Sequence, residues 1–460
     1  MATKGRPMTT GVLRRGFGAL TTAMLCCALA LPATARSNVA VVRDAEIETL
    51  LKDYATPLFK AAGLKASRVQ IVLVNDPSFN AFVDGQRIFI NTGALTAATV
   101  PNEIIGVIAH EAGHLEGGHQ QRLREQIATA RTLAIVGSLL GVGAIAAGSI
   151  AGSSGGSQAG GAIITAAPGL AQRNLLSYRR SEEMNADQAA ARYLNATRQS
   201  IRGMLTTFER FSQSLSLSGV QVDQYQISHP LPRERIALLE ELARKSKYFD
   251  VNDPERLNDR HQLMRAKIAA YTGGASAVAR LFSTDRSSLA ARYGDAIATD
   301  LAGNSAASLT KLDALIKEQP GNPYFHEFRG EVLIKLRKSD EAIKAFAKAA
   351  KLDPAKSPLI RARLGFALMA SGQPANMGRA IEELRASVQG EPDNFSAYRH
   401  LSQAYGQSGD IANAELIMAE GNFRAGNSRE AKVFAARALQ KLPKGSPGAR
   451  RANDILTIGK

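Results

Sequence analysis

The stretch His110-Glu111-Ala112-Gly113-His114 has the residue types and spacing of a metal-dependent hydrolase site. Histidines four apart on a helix project from one face, one turn apart, so both rings can reach one ion at the ~2.0–2.1 Å that zinc requires. The glutamate after the first histidine can then take the proton of a water activated by the ion. The pentapeptide also occurs by chance, so the rest of the chain has to carry the assignment. Zinc hydrolases use three protein ligands and leave one position open. The two cysteines, Cys26 and Cys27, lie in a segment that reads as a removable signal, which leaves histidine and carboxylate as ligands. Downstream, Glu183 in Glu183-Met184-Asn185-Ala186-Asp187 is the expected third ligand, with Glu182 competing about 100° around a regular helix. Asp187, one turn beyond Glu183, can hold the second ring nitrogen of a ligand histidine. His229 precedes Pro230, which biases it toward an extended loop able to reach the open metal position. There it could stabilise an oxyanion, or it could ligate the metal and exclude water.

Local sequence supplies elements to position these groups. Asn102 to Ala130 reads as one helix carrying the pentapeptide, with Pro101 at its start. Before it come an amphipathic helix from Asp44 to Ala62, a strand at Val69–Val74 and a hairpin across Asn80–Asn91 turning at Asp84-Gly85. This small sheet predicts an edge beside the site where an extended peptide could add by backbone hydrogen bonds. Glu183 and Asp187 fall on a helix from Leu175 to Leu194, and Arg235 lies in the first turn of a helix running from Arg233 to Lys245.

Of the +16 formal charge, four positive charges fall in the first 35 residues, leaving +12 beyond them. That segment has a basic start, an apolar core from Phe17 to Leu31 and Ala33-Thr34-Ala35 as a cleavage site, with ordinary secretion favoured over twin-arginine export. A basic exported chain can make peripheral contact with anionic lipid or acidic proteins. No motif of interleaved aromatic and basic residues suggests nucleic acid. From Thr132 to Gln172 there is no charged residue. Its apolar first part and its Gly/Ser-rich stretch Gly152–Gly161 read as a flap or membrane-interfacial segment with a flexible loop. A buried helical hairpin and a true span are the alternatives.

The remainder repeats. Gly330, Ala342, Phe346, Ala349 and Pro354 stand at tetratricopeptide offsets, and Ala380, Leu384, Ser387 and Pro392 reproduce the second half. Leu401, Tyr405, Ala414 and Met418, then Ala431, Ala435, Ala438 and Pro443, continue the series. The expected organisation is a signal (1–35), a peptidase domain (36–272), a linker (273–286), a repeat domain (287–445) and a C-terminal helix or tail (446–460). The fold class is mainly α: a gluzincin-type domain with a small β-sheet, then an α-solenoid.

In order, HEAGHLEGGH, RRSEEMNAD and SHPLPRERI resemble the HtpX/CAAX-protease-type zinc metallopeptidases of the gluzincin group. The resemblance implies one zinc ion held by His110, His114 and Glu183, with Glu111 as general base. It gives His119 as a recurrent histidine outside the ligand set, and Arg235 as the family's arginine after the histidine–proline motif. With the signal and the repeats it implies a periplasmic Gram-negative endopeptidase whose clients are misassembled outer-membrane proteins. It further implies the β-barrel assembly complex as partner and His229 as a blocking ligand. A chaperone or scaffold with normally silent proteolysis is the alternative.

Overall fold

The computed structural model describes residues 40–129, 132, 135–136, 154–217, 229 and 233–458. The expected signal and much of the uncharged segment lie outside these residues. Among the described residues no helix is long and apolar enough to cross a membrane.

Strand β1 (Val41–Val42) leads into α1 (Ala45–Ala61), capped by Asp44, whose side chain accepts from the Ile47 amide. Strands β2 (Gln70–Val74), β3 (Ala81–Asp84) and β4 (Arg87–Asn91) complete a sheet of order β1-β2-β4-β3. The β3–β4 hairpin is antiparallel, whereas β2 runs parallel to β4. β3 is therefore an edge. The Asn80 carbonyl accepts from the Asn91 amide, and Phe82 pairs with Phe89, so the main-chain groups of Ala81 and Val83 face away from β4.

After α2 (Thr92–Ala97), the pentapeptide helix α3 (Pro101–Glu116) is buried along most of its length. The sequence predicts one helix to Ala130, but the structure divides it. Gly118 takes φ 61° and a second helix, α4, covers 119–129. A Cβ at Gly117 would lie 2.1 Å from His119 Nε2, so two glycines let the His119 ring fold back over the end of α3. The long α5 (Ser154–Ala196) packs its C-terminal part against α3. From Ser154 the Gly/Ser-rich stretch is helical, against the loop expected from composition. Propagation of an established helix adds one hydrogen bond per residue fixed, which offsets weak glycine propensity. The α3–α5 approach depends on the motif's glycine, because a Cβ at Gly113 would meet the Ala186 carbonyl oxygen at 2.9 Å and Ala189 Cβ at 3.2 Å. Gly113→Ala is expected to destabilise by about 1–3 kcal/mol. Chemical denaturation measures this, and an unchanged midpoint would show that the helices have room to separate.

Helices α6 (Arg202–Leu217) and α7 (Arg233–Lys245) complete this half. Helix α8 (Glu255–Leu281) then has two faces in two cores. Met264 and Ile268 join the peptidase core with Leu50, Ile104 and Ile108, while Leu263, Ala266 and Ala269 pack with Tyr293, Phe325 and Phe328. The expected linker at 273–286 is thus replaced by a helix kinked at Gly274 (φ 62°, ψ −156°), with Val278 and Phe282 buried beyond it. Glycine gives sequence analysis one signal for both linker and kink.

Antiparallel pairs follow: α9 (Leu289–Leu301) with α10 (Ser305–Glu318), α11 (Pro323–Lys335) with α12 (Ser339–Leu352), α13 (Pro358–Ala370) with α14 (Pro374–Gly390), and α15 (Phe395–Gln407) with α16 (Ile411–Arg424). Helices α17 (Ser428–Lys441) and α18 (Pro447–Thr457) close the solenoid. Small residues set its spacing, since a Cβ at Gly330 would meet the Phe346 ring at 2.7 Å and one at Gly365 would meet Leu384 at 2.6 Å. Of the expected C-terminal helix or tail, the helix is what forms, packed through buried Ala449, Ala452 and Ile455.

Candidate metal centre

Helix α3 presents His110 and His114 on one face, and α5 brings Glu183 opposite. His229 reaches the same point from the chain between α6 and α7. One donor atom from each of these four buried residues lies within 4.8 Å of the others. His110 Nε2 is 3.1 Å from His114 Nε2 and 3.3 Å from His229 Nδ1. Glu183 lies 3.3 Å from His110 Nε2, 3.4 Å from His114 Nε2 and 3.1 Å from His229 Nδ1. Ligands at zinc-like bond lengths in a tetrahedron stand about 3.4 Å apart, so the spacing fits a small tetrahedral ion.

The outer partners decide what these atoms offer. His110 Nδ1 sits 2.9 Å from Asp187 Oδ1, an electrostatic contact off the hydrogen-bond axis that still favours the ring proton on Nδ1. His119 Nε2 lies 2.7 Å from Glu182, an electrostatic contact that favours the ring proton on Nε2, so its Nδ1 accepts, at 2.8 Å, the proton on His114 Nδ1. His229 Nε2 donates to the Ala81 carbonyl at 3.2 Å. All three imidazoles therefore turn their other ring nitrogen toward the same carboxylate, where a metal ion would take the place of a proton. Such crowding in a buried site calls for a cation.

Arg235, fully buried, donates through Nε (2.6 Å) and Nη2 (2.8 Å) to Asp187 and places Nη1 3.0 Å from Glu183. Burial pushes the Asp187 carboxyl up, but Arg235 outweighs it and holds it below its usual range. Burial likewise opposes ionisation of Glu183, and the surrounding histidines, His229 foremost, bring it well below the ordinary value. His110 is lowered by burial but raised more strongly by Asp187 and Glu183, to about 9. His114 is lowered by burial.

Glu111 is fully buried on α3, and neither of its oxygens has a hydrogen-bond partner. Its nearest charged neighbour is His229 Nε2 at 3.4 Å. A buried, unsatisfied carboxylate beside a metal-shaped cluster is costly for folding and suited to proton transfer.

The structure thus brings His110, Glu111, His114, Glu183, Asp187, His229 and Arg235 into one cluster. Glu182, the competing ligand, faces His119 and Arg122 instead (2.7 and 3.1 Å). Two contacts were not legible beforehand: the hand-off from Glu182 through His119 to His114, and Gln120 Nε2 donating to the Val83 carbonyl on the edge strand. The recurrence of His119 in the resemblance was the one available signal. Of the other histidines, His261 is structural, held between the Tyr54 hydroxyl and the Ala98 carbonyl at 3.0 Å each.

Residues 42–243 match the model of peptidase family M48. This stretch is a peptidase family M48 domain. The full chain is similar to the beta-barrel assembly-enhancing protease of Escherichia coli K12, 22% identical over 418 residues, covering 89% of this chain and 82% of the relative. The protein of that name from Yersinia pestis is 24% identical over 383 residues, covering 81% and 75%. A putative one from Vibrio cholerae is 27% identical over 303 residues, covering 63% and 59%. Among solved structures, MamA is 21% identical and covers 38% of this chain and 99% of its own, with a TM-score of 0.31. YrrB, a tetratricopeptide protein, is 16% identical and covers 38% and 91%, also at 0.31. The chain is a metallopeptidase whose M48 domain is followed by tetratricopeptide repeats.

Removing the carboxylate behind His110 tests the outer partners of the M48 centre. Asp187→Asn keeps the size of the side chain but loses the charge that favours the Nδ1 tautomer and pairs with Arg235. Metal affinity, measured by competition with a chromogenic chelator, is expected to fall about 10–100-fold. Unchanged affinity would leave Asp187 as a partner of Arg235 alone.

Proposed function

We propose that this protein is a periplasmic zinc endopeptidase that cleaves misfolded or misassembled outer-membrane proteins, its repeats recruiting clients or the β-barrel assembly complex. The observation that carries the reading is the set of buried ligand atoms from His110, His114, Glu183 and His229 converging beside Glu111, whose oxygens have no hydrogen-bond partner. The donor chemistry, imidazole and carboxylate at tetrahedral spacing, suits zinc. When bound, zinc supplies Lewis acidity that polarises a peptide carbonyl and lowers the pKa of water.

The remaining steps belong to the chain. Glu111 takes the proton of the attacking water and returns it to the leaving amine. Asp187 and Arg235 hold His110 and Glu183 in register. The outward-facing main chain of Ala81 and the Val83 amide on β3 offer an extended substrate a strand to pair with, next to the Val83 carbonyl that Gln120 holds. His229 opposes this arrangement. It occupies the fourth donor position through Nδ1 and covers the Ala81 carbonyl through Nε2, so water and substrate strand are both excluded while it stays. That observation favours a protease that is normally plugged, and it gives the scaffold or chaperone reading its support. Zinc content with casein cleavage, before and after chelation, tests the proposal; a folded protein that binds no zinc under excess zinc would overturn it. Similarity over most of the chain to relatives named for β-barrel assembly supports the periplasmic client class.

A further inference from the structure

Helix α12 carries Lys344, Lys348 and Lys351 on one exposed face, about one turn apart, with no acidic residue between Glu341 and Asp353. Beside the last of these lysines a cavity of about 220 Å³ lies between α12 and α14, the second helices of two successive pairs, at the start of α13. Four cations line it, Lys351, Lys356, Arg361 and Arg379, against two carboxylates, Asp353 and Glu383. Arg361 is 3.4 Å from Glu383. Asp353 is engaged within its own turn, because its side chain accepts from the amides of Ala355 (3.1 Å) and Ser357 (2.6 Å). Lys351, Lys356 and Arg379 make no ion pair among the described residues. The turn that Asp353 ties holds Lys356 at φ 51°, uncommon for a residue with a side chain, and so fixes where its stem leaves the backbone. Ser357, only 8% exposed, also lines the cavity. Its oxygen accepts from the Leu359 amide as the cap of α13, and its hydroxyl proton has no acceptor among the described residues.

We propose that this cavity binds a phosphate group, with Arg379 and Lys356 as its charged donors and the Ser357 hydroxyl as a neutral one. A guanidinium offers parallel N–H groups to two phosphate oxygens, and an ammonium adds a point charge. The N-terminus of α13 contributes its dipole at the same place. A tetrahedral oxyanion presents oxygens in several directions, which suits donors arriving from α14, from the turn and from the helix cap. The volume holds such a group with a few waters, at ~30 Å³ of liquid per water. Free phosphate and a phospholipid head group share this chemistry. The lysines of α12 extend the positive field beyond the cavity and would assist approach to an anionic lipid surface. The site gives part of the chain's basic excess a specific use, and it needs no assumption about the metal centre.

The test is calorimetric titration of the full-length protein with inorganic phosphate at low ionic strength. A site variant, Lys356→Gln with Arg379→Gln, is compared with a control, Lys65→Gln with Lys444→Gln, that removes the same charge at exposed positions elsewhere. All four side chains are exposed, so both variants are expected to fold, and their melting midpoints check this. Wild type and control are expected to bind phosphate alike, and the site variant at least about 10-fold more weakly, the scale of a lost charged hydrogen bond. Flotation with phosphatidylcholine vesicles, with and without phosphatidylglycerol, identifies the source. Flotation that requires phosphatidylglycerol and is lost in the site variant alone assigns a lipid head group. Phosphate binding without flotation assigns the free ion. The proposal is overturned if the wild type binds neither phosphate nor phosphatidylglycerol vesicles. It is equally overturned if the site variant binds as the control does, since the attraction is then diffuse charge.

Discussion

Glu111→Gln is expected to retain stoichiometric zinc while losing proteolysis by about 10²- to 10⁴-fold, the range for removal of a general base. The substitution preserves shape inside a fully buried helix and touches none of the proposed metal contacts, which are made by His110, His114, Glu183 and His229. What disappears is the capacity to accept a proton. Because neither Glu111 oxygen is hydrogen-bonded, an amide there satisfies no fewer partners than the carboxylate did, so folding should suffer little. Metal analysis with casein cleavage on the same preparation separates the two effects. Undiminished cleavage would remove Glu111 from the mechanism. Cleavage and zinc lost together would make it a structural residue.

His229→Ala is expected to act in the opposite direction. Its Nδ1 stands at the fourth corner of the cluster and its Nε2 is committed to Ala81, so removal frees both the open position and a carbonyl of the edge strand. If the plugged form dominates and the competent form is a minor state, freeing it should raise cleavage at least about tenfold. Zinc should stay bound through the remaining three donors, with some loss of affinity. A fall of about 10²- to 10³-fold in turnover with zinc retained would assign His229 to the oxyanion instead. The two outcomes have opposite signs, which makes this substitution the most informative in the chain. A plug also bears on the scaffold alternative: a rise in cleavage would mean that silence of the peptidase is imposed by one loop and is reversible.

Much of this was present in the linear chain. Helical periodicity around the pentapeptide, the spacing of Glu183 and Asp187, and the hairpin before them are local properties, fixed by a few residues of separation. The repeats were legible because each pair of helices needs small residues at set positions, as Gly330 against Phe346 and Gly365 against Leu384 show. Errors came where one local signal serves two structures. Gly117-Gly118 could not announce that the helix stops and turns His119 back, and Gly273-Gly274 marks a kink within α8 rather than a linker. A Gly/Ser-rich composition at the start of α5 gave way to helix propagation.

The sequence by itself determined which side chains could bind a metal and move a proton, because type and spacing along one helix are enough to place them on a common face. Tertiary structure alone decided what each of them does with its second atom. Glu183 rather than Glu182 enters the cluster because the latter is held by His119 and Arg122 on the other side of α5. His229 turns Nδ1 inward because the Ala81 carbonyl, 148 residues away along the chain, takes the proton on Nε2. Tautomer, ligand choice and plug all depend on contacts between distant segments, and no local pattern encodes a partner that only folding supplies.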